Sequence, residues 1–156
     1  MAAASLLVHL NAHLSLVTRD PMVDTEIIEQ AKSIREMSSQ DAADWLMENY
    51  PAGTPNYGTA FQLMPRRSWK RSDQIRLAEH YLARLPFALN TPYRVFLSFM
   101  AAEVFVLQIR KFLPDEESGI KLLRYHLGPV MREAAKSDAD RVLFSRLMAE
   151  LDRAAD

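Results

Sequence analysis

Few residues in this 156-residue chain have the type and spacing that chemistry needs. His9 and His13 stand four apart, which on a helix puts two imidazoles on one face, as in a two-histidine metal pair. Position 10 is leucine rather than the glutamate of a zinc-protease motif, and no third ligand lies near, so the pair reads as a polar helix face. Glu103 sits inside the most apolar stretch, Val95 to Ile109, where an unpaired carboxylate would carry a large desolvation penalty. It therefore needs a partner, and His80, Arg124 and His126 are the candidates. Such a pairing is either a functional acid beside its base in a cleft or, as we expect, a contact that locks helix to helix. Tyr125 and His126 precede Gly128 and Pro129, where a proline frees one carbonyl for a side chain or ligand, although most such kinks only shape packing.

The sequence holds no Gly-x-Ser-x-Gly, no glycine-rich dinucleotide or P-loop motif, and no cysteine. Hydrolase, nucleotide and thiol chemistry thus have no anchor, no metal or cofactor is expected, and the chain reads as a non-enzyme. Absence of cysteine suits a reducing, cytoplasmic setting. The opening MAAASLLVHLNAHLSLV has no basic leader and is interrupted by His9, Asn11 and His13, so it is expected to belong to the fold rather than to a signal. Val95 to Ile109 carries Ser98, Glu103 and Gln108 and falls short of the ~20 apolar residues that a membrane span requires.

Binding chemistry is better represented. Residues 51–71 interrupt the helical pattern, yet Tyr57, Phe61, Leu63, Met64 and Trp69 give the segment enough apolar material to pack as a long ordered loop. Arg66, Arg67, Lys70 and Arg71 surround Trp69. Charge is segregated: residues 19–50 hold eight acids and three bases, 51–94 two acids and seven bases, and 95–156 ten acids and nine bases. A basic loop with an exposed Trp69 and Tyr57, beside an acidic helix face of Asp24, Glu26, Glu29 and Glu36, is what a selective protein-protein surface offers. The same four bases could instead grip phosphates while Trp69 stacks on a base. An overall pI near 6.4 weighs against nucleic acid.

Start and stop signals place these residues on about seven helices. In segment 4–17, Leu6, Leu7, Leu10, Leu14 and Val17 make a helical stripe, although Leu6, Val8, Leu10, Ala12, Leu14 and Leu16 also alternate as in a strand. Being apolar and terminal, it is the likeliest element for self-association as a homodimer. Asp20 and Pro21 open a helix with Ile27, Ala31 and Ile34 inward. Ser38 with Asp41 opens the next, which ends at Pro51. Ser72 and Asp73 start a helix to Pro86, and Asn90 to Pro92 start a long one that Pro114 stops. In that helix, 92–113, the polar residues share no face, so it is expected to be buried on every side at the centre of the fold. Apolar periodicity then runs through Gly128 and Pro129, and Ser137 opens the last helix.

The expected fold is a single all-α domain, 1–156: an irregular bundle of antiparallel hairpins around helix 92–113. Hairpins of roughly 35 to 40 residues match the length of helical-repeat units, but no residue signature recurs between them. The expected function is non-enzymatic recognition of another protein, as an inhibitor, immunity protein or adaptor. The alternatives are a nucleic-acid regulator acting through Arg66 to Arg71 and a helical enzyme around Glu103.

Overall fold

The computed structural model describes residues 21–156, with side chains from Thr25 onward. Segment 4–17, the His9–His13 pair and the Asp20 cap lie outside the described residues, as does the side chain of Asp24. The described chain is all-helical: α1 (Pro21–Glu36), α2 (Ser39–Asn49), α3 (Gly58–Leu63) continuing into a 3-10 turn (Met64–Arg66), α4 (Arg71–Leu82), α5 (Thr91–Phe99), α6 (Ala102–Lys111), α7 (Glu117–Ala134) and α8 (Asp138–Ala154).

Capping sets several of these boundaries. The Ser38 hydroxyl accepts from the Asp41 N–H at 3.0 Å and the Ser137 hydroxyl from the Asp140 N–H at 3.1 Å, each meeting one of the donors that a helix start leaves unpaired. Asn90 makes no such side-chain bond, and α4 begins at Arg71, ahead of Ser72. Pro129 lies within one continuous helix, α7. It supplies no N–H to the Tyr125 carbonyl, and because Pro129 is exposed, water can take that place.

The helices pack in two layers. Odd-numbered helices follow one another (α1 on α3, α3 on α5, α5 on α7), and even-numbered helices do likewise (α2 on α4, α4 on α6, α6 on α8). Side-chain pairs fix the register. The Ser39 hydroxyl accepts from the Lys70 backbone N–H and Asp44 meets Arg76, while Arg71 meets Glu103 and Glu79 meets Lys111. Starts face starts and ends face ends, with offsets of 31 or 32 residues, so α2, α4 and α6 run parallel. Helix pairs stacked side by side in this way bury one continuous core, as in repeat architectures. The pairs differ in length, from the six residues of α3 to the eighteen of α7, which keeps the bundle irregular.

Two expectations need correction. Residues 92–113 are not one central helix: Met100 and Ala101 are extended, with ψ of 143° and 144°, and the chain reverses from one layer to the other there. The two halves bury separate stripes, Tyr93, Val95, Phe96 and Leu97 in α5 and Val104, Phe105, Gln108 and Ile109 in α6. Drawn as one helix, two stripes out of phase look apolar all round. The segment 51–71 is likewise no long loop, because α3 and the 3-10 turn occupy its middle, with Phe61 of α3 packed on Tyr81 of α4. The hairpins are therefore α1–α2, α3–α4, α5–α6 and α7–α8.

Candidate functional site

Arg67 and Trp69 are built into the scaffold rather than offered to solvent. The Arg67 guanidinium donates to the carbonyls of Ile34 at 2.6 Å and Met37 at 2.9 Å, at the end of α1 where helical carbonyls lack partners. It also lies 4.8 Å from the Trp69 ring centroid. Trp69 is 6% exposed and its indole N–H donates to the Met64 carbonyl at 2.9 Å. The expected exposed tryptophan is thus corrected: in a chain turning between layers the indole fills the gap under the 3-10 turn, and no ring face is open to a base.

The other basic residues divide. Arg71 lies 4.0 Å from Glu103, with both side chains about 70% exposed. Arg66 and Lys70 are exposed and have no ion-pair partner among the described residues; the Arg66 Nε donates to the Gln62 carbonyl at 3.3 Å. Glu26, Glu29 and Glu36 are exposed along α1, and the Glu26 carboxylate accepts from Gln30 at 3.3 Å. Arg35, from the end of the same helix, donates to the Arg66 carbonyl at 3.4 Å, so the acidic helix and the basic segment do adjoin.

Glu103 does not sit in a buried helix centre. It stands in the first turn of α6 at the surface, its ionic partner is Arg71, and among the described residues no histidine pairs with it. His80 is engaged elsewhere: its Nε2 accepts from the Ala52 N–H at 3.1 Å, and burial pushes its pKa below the usual histidine value. Among the described residues no group of three or more His, Asp or Glu is placed to hold a metal ion, and no helix is long and apolar enough to cross a membrane.

What sequence reasoning missed is a recess beside Tyr57. Tyr57, Gly58, Phe61 and Gln62 from α3 and its entry, together with Phe87, Ala88, Leu89, Thr91 and Pro92 from the α4–α5 connection and α5, enclose about 250 Å³. Its floor is rigid. Phe61 packs against Tyr81 at 5.3 Å and Phe96 at 5.6 Å between centroids, and Phe87 packs against Phe61 at 6.0 Å and Tyr93 at 5.5 Å. The Phe87 N–H donates to the Tyr93 hydroxyl at 3.0 Å, and burial pushes the Tyr93 pKa up to about 12. Tyr57 stacks on Phe87 at 6.2 Å with 23° between ring planes and forms a half-buried wall. Leu89 is 67% exposed at the rim. A Cβ added at Gly58 would meet nothing within 4 Å, so the mouth is open on that side. The signal in the sequence was the apolar run Phe87-Ala88-Leu89 between two prolines, where a solvated connection would be polar.

Four larger concavities, of about 370 to 740 Å³, lie elsewhere among the described residues, and two of them sit at a helix seam and a helix connection. One of about 420 Å³ lies between α7 and α8, over Gly128, Phe144 and Met148 with Arg132 and Arg141 beside them. The other, of about 740 Å³, joins Leu85 and Pro86 to the 112–119 connection. Neither has the interlocked aromatic floor of the recess beside Tyr57. No family model, no curated protein and no solved structure matches the chain. The functional reading therefore rests on the geometry alone.

Proposed function

We propose that the chain is a non-enzymatic protein-binding module, which receives its partner at the edge where α3 and α5 begin. The observation that carries this reading is the recess floored by Phe61 and Phe87, with Leu89 left exposed beside it. Other large apolar residues are exposed singly, Val142 among them, but here an exposed apolar residue borders an apolar recess, the kind of surface that partners cover. At about 250 Å³ it falls below the ~300 Å³ at which small-molecule sites usually begin, and suits one inserted side chain. Inhibitors, immunity proteins and adaptors all act by this kind of docking, with aromatic anchors supplying most of the energy.

The site differs from the one centred on Trp69. Tyr57 stays in it, Arg66 stays beside it through Gln62, and the acids of α1 lie outside its lining. The test is affinity capture from the native host with the wild-type chain and with Gly58→Phe, which adds a bulky ring at a lining position where a Cβ meets nothing within 4 Å. A partner captured by the wild type and lost with the variant supports the reading. Equal capture by both, or conversion of a metabolite by the purified chain, overturns it.

A further inference from the structure

We infer that the recess takes an aromatic or branched aliphatic side chain from an acidic segment of the partner, an inference that rests on the binding role proposed above. The charge around the recess carries it. Segment 51–94 holds two acids only, and both are paired with cations of the same chain. Asp73 is buried and pairs with Arg76 at 3.0 Å, and Glu79 pairs with Lys111 at 3.6 Å on the seam between α4 and α6. Arg76 is shared with Asp44 from α2. No carboxylate of this segment is thus left to face an incoming chain.

The cations near the recess are placed otherwise. Arg66 stands one turn beyond Gln62, which lines the recess, and has no ion-pair partner among the described residues. Arg84 precedes Phe87 by three residues, and its Nη2 lies 2.7 Å from the position a Cβ on Gly53 would take. Its guanidinium therefore rests across the 50–57 connection that leads to Tyr57, exposed and likewise without an ion-pair partner among the described residues. An apolar socket whose two walls each continue into an arginine without an ion-pair partner among the described residues, Arg66 beyond Gln62 and Arg84 before Phe87, selects a bulky apolar residue flanked by Asp or Glu. Each arginine adds steering and each acid on the partner is matched, whereas a basic segment meets like charge on both sides.

The experiment titrates the isotope-labelled full chain with three capped pentapeptides, Glu-Glu-Trp-Glu-Glu, Lys-Lys-Trp-Lys-Lys and Glu-Glu-Ala-Glu-Glu, followed by NMR at low salt. The acidic tryptophan peptide is expected to shift the Gly58, Leu89 and Thr91 signals saturably. Replacing its tryptophan by alanine should remove the shifts, and the lysine peptide should bind roughly tenfold more weakly or less. Gly58→Phe should abolish binding while signals far from the recess stay in place. Arg66→Glu with Arg84→Glu should reverse the charge preference, and this pair keeps the charge claim testable even if the glycine variant perturbs the fold. Equal binding of the acidic and basic tryptophan peptides overturns the acidic preference and leaves the docking site standing. No shift at the recess with any peptide overturns the inference, and affinity capture then decides separately whether a protein is bound at all.

Discussion

Replacing Arg67 by alanine should destabilise the fold far more than the same change one residue earlier. Arg67 closes the end of α1 from a distance, with two short bonds to the Ile34 and Met37 carbonyls and a third from its Nε to the Ser68 carbonyl at 2.8 Å. Hydrogen bonds involving a charged group contribute about 1.5–3 kcal/mol each, net of exchange with water, when well buried. A cation at a helix C-terminus adds about 0.3–1 kcal/mol. Because Arg67 is only half-buried, water partly replaces it in the variant, and the net loss should be about 2–3 kcal/mol. That corresponds to a fall in Tm of about 5–10 °C for a chain of this size. Arg66, exposed and with one long bond, should cost no more than about 0.5 kcal/mol on truncation. Arg67→Lys keeps the charge but not the planar fork and should fall between the two. Urea denaturation of the three variants, with slopes compared to confirm a common unfolded state, measures this directly. Equal, small losses for Arg66→Ala and Arg67→Ala would refute the cap and return Arg67 to the partner surface.

Other outcomes follow from single side chains. Gln108 is buried in α6 with its Oε1 unpartnered in this structure, so Gln108→Met should stabilise the chain by about 1–2 kcal/mol in the same urea assay; a loss of that size would mean that the amide is satisfied. His80 accepts a hydrogen bond as the neutral ring and its pKa is lowered by burial. Protonation therefore opposes folding: stability is full above the unfolded histidine value near 6.5 and falls as pH drops below it, until the lower folded pKa is reached. Thermal unfolding at pH 7.5 and 5.5 should show a wild-type advantage over His80→Gln that shrinks at the lower pH, and an unchanged gap would contradict this. Glu103→Gln should change stability by no more than about 0.5 kcal/mol, since the Arg71 pair is exposed; a larger loss, or loss of partner binding, would return Glu103 to the candidate site.

The helical class and most boundaries were legible because they depend on local chemistry: Ser38 and Ser137 as caps, Pro51, Pro86 and Pro114 beyond helix ends, and Ile27, Ala31 and Ile34 at helical spacing. The turn at Met100 and Ala101 was not, because neither residue is a helix breaker and the reversal is imposed by packing of α5 and α6 into different layers. The stacking of hairpins was hidden for a related reason. Its register is kept by unlike pairs such as Asp44 with Arg76 and Glu79 with Lys111, so no residue identity repeats, although each even-numbered helix up to α6 is followed by an apolar residue and proline: Tyr50-Pro51, Leu85-Pro86 and Leu113-Pro114. Charge placed the basic segment beside the acidic helix correctly, through Arg35 and Arg66, but could not tell a solvated arginine from one that closes a helix. Nor could composition reveal that Trp69 turns inward while Leu89 turns out.

The most direct measurement of the central claim places a photo-crosslinking amino acid at position 89 of the full chain in its native host, with position 142 as a control. Leu89 and Val142 are both exposed apolar residues, at 67% and 49%, but only Leu89 borders the recess beside Tyr57. The account predicts one dominant protein adduct from position 89, absent from position 142 and lost when Gly58→Phe is combined with the probe. Adducts of equal yield from position 142, or adducts at 89 that persist with Gly58→Phe, would contradict it.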